Sequence, residues 1–139
     1  MSELKIFYVP IDELSASEYN PRRLTKIQYN DIKASIEEFG MVEPIIVNSN
    51  KRAGRHNIIV GGHQRWHVCK QLNHLTIPVN YVCLDLKREK QLNIRLNKNS
   101  GTFDYDCLAN YFDMDDLLDW GFTEKDFEID LDIDDIEEP

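Results

Sequence analysis

Val60-Gly61-Gly62-His63-Gln64-Arg65 is the segment best equipped for chemistry: a β-branched run passes through twin glycines into a helical pattern. Glycines, lacking a Cβ, let a ligand come close to the main chain. The start of a following helix offers N–H groups with no intrahelical acceptor and a partial positive charge, which suit phosphate or another anion. Arg65, one turn in, has a guanidinium able to hold the same anion through two parallel hydrogen bonds. The plainer reading of these residues is a tight turn followed by an arginine paired with a surface carboxylate. Neither Gly-x-x-x-x-Gly-Lys-Ser/Thr nor Gly-x-Gly-x-x-Gly occurs, so a P-loop or Rossmann site is not on offer.

Other reactive side chains point less clearly. His63 and His67 stand at i and i+4, a spacing that can grip a metal from one helical face. It resembles His-Glu-x-x-His, but Gln64 occupies the position of the general base and glutamine cannot take a proton. Zinc is not expected, and His67 reads as a surface histidine. Glu37 and Glu38 close one helical pattern and Glu43 precedes Pro44. These three are the weak candidates for an acid–base step, and equally the acids of a solvated helix end. Cys69 and Cys83 fall on apolar faces, as small core residues do. Cys107 lies among acids, which raise a thiol pKa and disfavour a nucleophilic role.

The elements that must position these groups are legible from periodicity. Lys5–Val9 reads as a strand closed by Pro10. Asn20-Pro21-Arg22-Arg23 is a turn. Thr25 with Gln28 forms a capping box, and Tyr29, Ile32, Ile36 and Phe39 mark one face of a helix stopped by Gly40. Pro44–Val47 and Asn57–Val60 are β-branched runs joined by a polar segment containing Gly54, which predicts a hairpin. A helix is expected from His63 to Leu72, with Trp66, Cys69 and Leu72 at threefold spacing. A strand follows from Ile77 to Leu84, with Ile77, Val79, Tyr81 and Cys83 on one face. Leu86–Leu96 reads as a helix with Lys87, Arg88, Lys90 and Arg95 solvated. Short helices are expected over Tyr105–Phe112 and Met114–Trp120, and Thr123 with Asp126 can cap one more turn.

At 139 residues, with 42% apolar and 29% charged residues, the chain has the profile of one globular domain with a short appendage. No apolar run approaches the roughly 20 residues that span a bilayer. Met1–Lys5 lacks the apolar stretch of a secretory signal. Three cysteines without a Cys-x-x-Cys pair argue for reduced thiols in a cytosol. Membrane, disulfide-scaffold and zinc-finger classes are thereby set aside. The net charge of −9 is unevenly divided: residues 1–100 hold 15 Lys and Arg against 10 Asp and Glu, residues 101–139 one against 15. The body is mildly basic and can meet phosphate. The acidic end is not the part that touches a DNA backbone.

Four of these segments stand together in a familiar order. Asn20-Pro21-Arg22, the helix end Ser35–Gly40, Pro44-Ile45-Ile46-Val47 and Gly61–Arg65 resemble the ParB/sulfiredoxin superfamily. Within it, the chain is most similar to the ParB N-terminal-like (ParB-like nuclease) domains of phages and mobile elements and those associated with DNA methyltransferases. The resemblance covers about residues 4 to 101. It implies an α+β fold, a compact mixed sheet with packed helices, with a small acidic helical annex added at the C-terminal end. The expected division is 1–101 for the ParB/sulfiredoxin-like domain, 102–127 for the annex and 128–139 for a flexible acidic tail.

The resemblance also implies a bound nucleoside triphosphate with magnesium. By matched position Gly61, Gly62, His63 and Arg65 hold phosphate, Asn20 and Arg22 belong to a neighbouring box, and Asn97 and Asn99 lie near the metal ion. Sulfiredoxins carry their reactive cysteine where His63 stands, so sulfinic-acid reduction is not expected. Chromosome-partition ParB proteins have Gly-Glu-Arg-Arg in this box and a basic helix-turn-helix after it. Here His63-Gln64 and an acidic annex replace them, so any contact with DNA is expected to be indirect or non-specific.

Two readings of function follow. In the first, a ParB-like nucleotide-binding domain, in the enzymatic version an NTP hydrolase, serves DNA metabolism in a phage or mobile element; a ParB-like nuclease ranks lower, since no cluster of metal-binding carboxylates is evident. In the second, the chain is a non-catalytic interaction module. Its acidic annex would dock a basic protein partner or imitate DNA charge, with Leu108, Tyr111, Phe112, Leu117, Leu118, Trp120 and Phe122 as the apolar surface it packs with. Those residues serve equally to pack the annex on its own body.

Overall fold

The computed structural model describes residues 4–20, 22–23, 25–97, 102–103 and 110–121. Five strands form a mixed sheet in the order β1-β6-β4-β5-β2: β1 is Phe7–Pro10, β2 Ser15–Ala16, β4 Ile45–Asn50, β5 Arg55–Gly61 and β6 Thr76–Val82. β1 lies antiparallel on β6, β6 parallel to β4, β4 antiparallel to β5, and β5 parallel to β2. Pro10, which cannot donate into a ladder, sits at the end of edge strand β1. A second, two-stranded sheet pairs β3 (Arg22–Arg23) with β7 (Thr102–Phe103).

Helix α1 (Lys26–Phe39) begins with the expected capping box. Thr25 N donates to Gln28 Oε1 at 3.0 Å and Gln28 N to Thr25 Oγ1 at 3.2 Å, satisfying two donors the helix cannot use. It ends on Gly40 at φ 76°, a conformation that side chains resist. α2 (His63–Gln71) follows β5 after one residue, and α3 is Leu86–Asn97. Ile45, Val47, Ile59, Ile77 and Val79 project from one face of the sheet onto Ile36 of α1 and Val68 and Cys69 of α2, with Ile11 and Leu14 completing this core. Because side chains alternate along a strand, Asn48 projects to the other face, where α3 lies.

Three expectations need correction. Phe39, the last residue of α1, overhangs the core and is 67% exposed. Cys83 is also exposed, because β6 stops at Val82, one residue short of it. Lys90 is only half-exposed: its ammonium donates to Tyr111 O at 2.6 Å and lies over the Tyr19 and Phe112 rings. The reason lies in the segment after α3. Phe112, Leu117 and Trp120 are buried with Tyr19 and Ile94 in a second core, where α4 (Met114–Asp119) and the residues beside it cover α3. These three apolar residues are used within the chain, whereas Tyr111 and Leu118 stay exposed.

Of the helix expected over Tyr105–Phe112, Asn110 and Tyr111 are helical and 105–109 lie outside the described residues, as do Leu108, Phe122, the turn at Thr123 and the tail 128–139. No described helix is long and apolar enough to cross a membrane.

Candidate functional site

The glycine-rich segment is shaped by a register shift. Ile46 pairs with Gly61 while Val47 pairs with Ile59, so Val60 is the extra residue of a β-bulge. Bulges bend a strand and re-aim its end. Here Gly61 turns toward α3, where a Cβ would stand 3.0 Å from Leu96 Cδ1. Gly62 then takes φ 93° as the N-cap of α2. The first helical bond runs from Trp66 N to Gly62 O at 3.0 Å. The amides of His63, Gln64 and Arg65 therefore precede the ladder, and no side chain caps them.

Gly61, Gly62, Gln64 and Arg65 border a cleft of ≈ 730 Å³ between α1, the 40–44 loop, the ends of β4 and β5, and the last turn of α3. Ile32, Ile36, Met41 and Ile46 supply apolar wall, while Asp31, Ser35 and Gln64 supply polar atoms. Arg65 folds back over the glycine turn, so that a Cβ on Gly62 would meet its Nη2 at 2.9 Å and Ile45 Cδ1 at 2.7 Å. Its Nη1 donates to Glu43 Oε2 at 2.8 Å and to Glu43 O at 3.4 Å; Nη2 donates to Pro44 O at 3.5 Å. The helix start, the glycine turn and one guanidinium thus share one wall of the cleft.

His63 takes another direction. Its ring is buried, with Nε2 accepting from Ser17 N at 3.2 Å and lying 3.0 Å from Ser17 Oγ. The imidazole thus pins α2 to the chain after β2. Burial lowers the ring pKa to about 4, against a smaller opposing pull from Glu89. In the unfolded chain the same ring takes a proton near 6.5. Between those values the unfolded state binds more protons, so stability falls as pH drops from 6.5 to 4. The expected loss over that window is on the order of 3 kcal/mol. Urea unfolding of wild type and His63→Gln across pH 4–7 checks this, the variant losing that part of the slope.

A second buried polar group escaped the sequence reading. Glu89 of α3 has no solvent exposure. Its carboxylate accepts from Arg55 Nε at 3.0 Å, Arg55 Nη2 at 2.7 Å, Asn48 Nδ2 at 2.7 Å and the Tyr19 hydroxyl. Arg55 continues outward to Glu18 at 3.1 Å. Burial alone would raise the Glu89 pKa, but the hydrogen bonds from Arg55, Asn48 and Tyr19 outweigh it and hold the carboxyl ionised. Asn93, one turn on, donates to Val60 O at the bulge at 2.9 Å. The signal was available: Glu89 and Asn93 are polar at i and i+4 on a helix whose opposite side carries Lys87, Arg88 and Arg95.

The remaining candidates are scattered. Asn20 is half-buried, with its N–H on Ser17 O at 3.4 Å. The Arg22 backbone pairs with Phe103. Asn97 is the last residue of α3, and Asn99 lies outside the described residues. Glu37 and Glu38 are exposed on α1 and do not line the cleft, whereas Glu43 does. His67 contacts Gln71 at 3.3 Å and the edge of Tyr29.

Comparison with known proteins adds the lineage. A family model for the ParB N-terminal domain matches residues 1–100. The chain belongs to the ParB N-terminal domain family. This ParB N-terminal domain is 36% identical over 74 residues to the probable chromosome-partitioning protein ParB of Rickettsia typhi, covering 51% of this chain and 23% of that protein. It is 32% identical over 80 residues to the ParB-like nuclease domain-containing protein YnaK of Escherichia coli K12, covering 57% of this chain and 85% of that protein. It thus spans less than a quarter of the first relative's length and most of the second. Among solved structures it is similar to the C-terminally truncated chromosome-partitioning protein ParB from Caulobacter crescentus complexed with CTP-γ-S. There the TM-score is 0.61 at 25% sequence identity, covering 70% of this chain and 55% of that one. The fold is the expected ParB/sulfiredoxin-like one.

Proposed function

We propose that this ParB N-terminal domain binds a nucleoside triphosphate in the cleft beside α2. The observation that carries the reading is the uncapped helix start at Gly62, opening onto a ≈ 730 Å³ cleft with the Arg65 guanidinium against the same glycine. Free amides, a helix dipole and a fork-shaped cation are what a phosphate needs. A Cβ at Gly62 would collide with Arg65 Nη2 and Ile45 Cδ1, so glycine there is what lets the guanidinium lie against the turn. The apolar wall between Ile32 and Ile46 suits a nucleoside. The Caulobacter ParB complex with CTP-γ-S supports the same class of ligand.

Magnesium would arrive with the phosphates and neutralise part of their charge. Asn97 and Asn99 are the proposed neighbours of that ion. Among the described residues no group of three or more His, Cys, Asp and Glu side chains is placed to hold a metal unaided. Asn20 and Arg22 are proposed to close the phosphate end. The domain is proposed to serve DNA metabolism in a phage or mobile element, with DNA contacted indirectly. Exposed Asp113, Asp115 and Asp119 leave the annex an acidic surface for a basic protein partner.

Thermal unfolding in the presence of magnesium with CTP, ATP, GTP or UTP tests the binding reading. At least one nucleotide is expected to raise the melting temperature in a saturable way. No rise with any of the four, together with no heat of binding by calorimetry, would overturn it.

A further inference from the structure

We propose that Glu43 is a built-in competitor for the phosphate, occupying Arg65 while the cleft is empty and leaving it when an anion enters. The inference rests on the nucleotide-binding reading and adds a gate to it. Arg65 is the one cationic side chain among the described residues lining the cleft, and its shortest contact is the Glu43 carboxylate at 2.8 Å. A carboxylate and a phosphate oxygen ask for the same N–H groups, so the two cannot be held in full together. Glu43 is therefore an anion already seated beside the cradle.

The contact is built to break. The Glu43 side chain is 74% exposed against 26% for Arg65, so the carboxylate returns to water at little cost when displaced. It is carried on the short loop between α1 and β4, where Met41 packs against the core and Val42 is 76% exposed. The loop's first residue, Gly40, has φ 76° with nothing within 4 Å of where a Cβ would stand. Glycine is thus required there for its backbone conformation and not for space. Once phosphate holds Arg65, its charge repels the Glu43 carboxylate, and the exposed side chain turns out into water.

The test is the dissociation constant of each of CTP, ATP, GTP and UTP, with magnesium, for wild type and four variants: Glu43→Gln, Glu13→Gln, Arg65→Ala, and Arg65→Ala with Glu43→Gln. Glu13→Gln removes one exposed carboxylate that does not line the cleft. The expected result is binding roughly threefold to tenfold tighter for Glu43→Gln, the scale of one exposed charge interaction. Glu13→Gln should match wild type, and the gain should vanish in the Arg65→Ala background. Equal or weaker binding by Glu43→Gln, an equal gain in Glu13→Gln, or a gain that persists without Arg65 overturns the gate and leaves nucleotide binding standing. Binding by neither wild type nor Glu43→Gln overturns both readings. Binding by Glu43→Gln alone supports both.

Discussion

Arg65→Ala is expected to erase the nucleotide-dependent rise in melting temperature while changing the ligand-free protein little. The second half follows from the ion pair it would lose: its partner Glu43 is 74% exposed, and pairs of that kind contribute at most about 1 kcal/mol. The first half follows from what the guanidinium does in the cleft. A charge-assisted, two-pronged contact to phosphate contributes roughly 1.5–3 kcal/mol, or about 10- to 100-fold in affinity. At ten times the wild-type dissociation constant, nucleotide stabilises the protein by about 1.4 kcal/mol; a hundredfold weaker variant gains about 0.1 kcal/mol under the same conditions. Arg65→Lys should restore only part of the effect, because an ammonium is a point charge without the fork. Thermal shift and calorimetry read both variants. A full-sized shift in Arg65→Ala would remove the guanidinium from the binding account.

The largest effect on stability is expected from Arg55→Met. Glu89 is completely buried, and Arg55 supplies two of the hydrogen bonds and the countercharge that keep it ionised there. Removing one partner of a buried pair costs about 3–5 kcal/mol, because the other charge is left without compensation. That is a large part of the 5–15 kcal/mol typical of a whole domain. The loss should be greatest at neutral pH. Glu89 has a depressed folded pKa, so its stabilisation is fully present above the unfolded carboxylate value and disappears as pH falls through the folded one. Adding Glu89→Gln to Arg55→Met should recover part of the loss, since a neutral amide is cheaper to bury. Urea denaturation at pH 7 measures the series. A penalty below about 1 kcal/mol for Arg55→Met would mean the pair is not the anchor the geometry indicates. The anchor matters to the site because Tyr19, one residue before the Asn20 box, bonds Glu89, and Asn93, one turn further along α3, bonds Val60 O at the bulge.

What was legible in the sequence was local. Thr25 and Gln28 cap α1 three residues apart, and Gly54 turns a hairpin within one short segment. Gly61-Gly62 mark the strand-to-helix junction because only the immediate backbone decides it. What escaped were contacts across the chain. Ser17 meets His63 from 46 residues away, Tyr19 meets Glu89 from 70, and Arg65 finds Glu43 from 22. The twin glycines announced a cradle, but which way the His63 ring would point depended on where the chain after β2 ran. Likewise Trp120 gave no sign of whether its partner was the body or another molecule. That was decided by Tyr19 and Ile94, which lie far from it in the chain and belong to different elements.

The most direct test of the phosphate cradle is to watch its amides. In a titration of isotope-labelled protein with CTP, ATP, GTP or UTP and magnesium, followed by amide nuclear magnetic resonance, the signals of His63, Gln64 and Arg65 should shift most and together, in step with the Arg65 side-chain signal. Nucleotide binding that leaves these four signals in place and moves others instead would contradict the account.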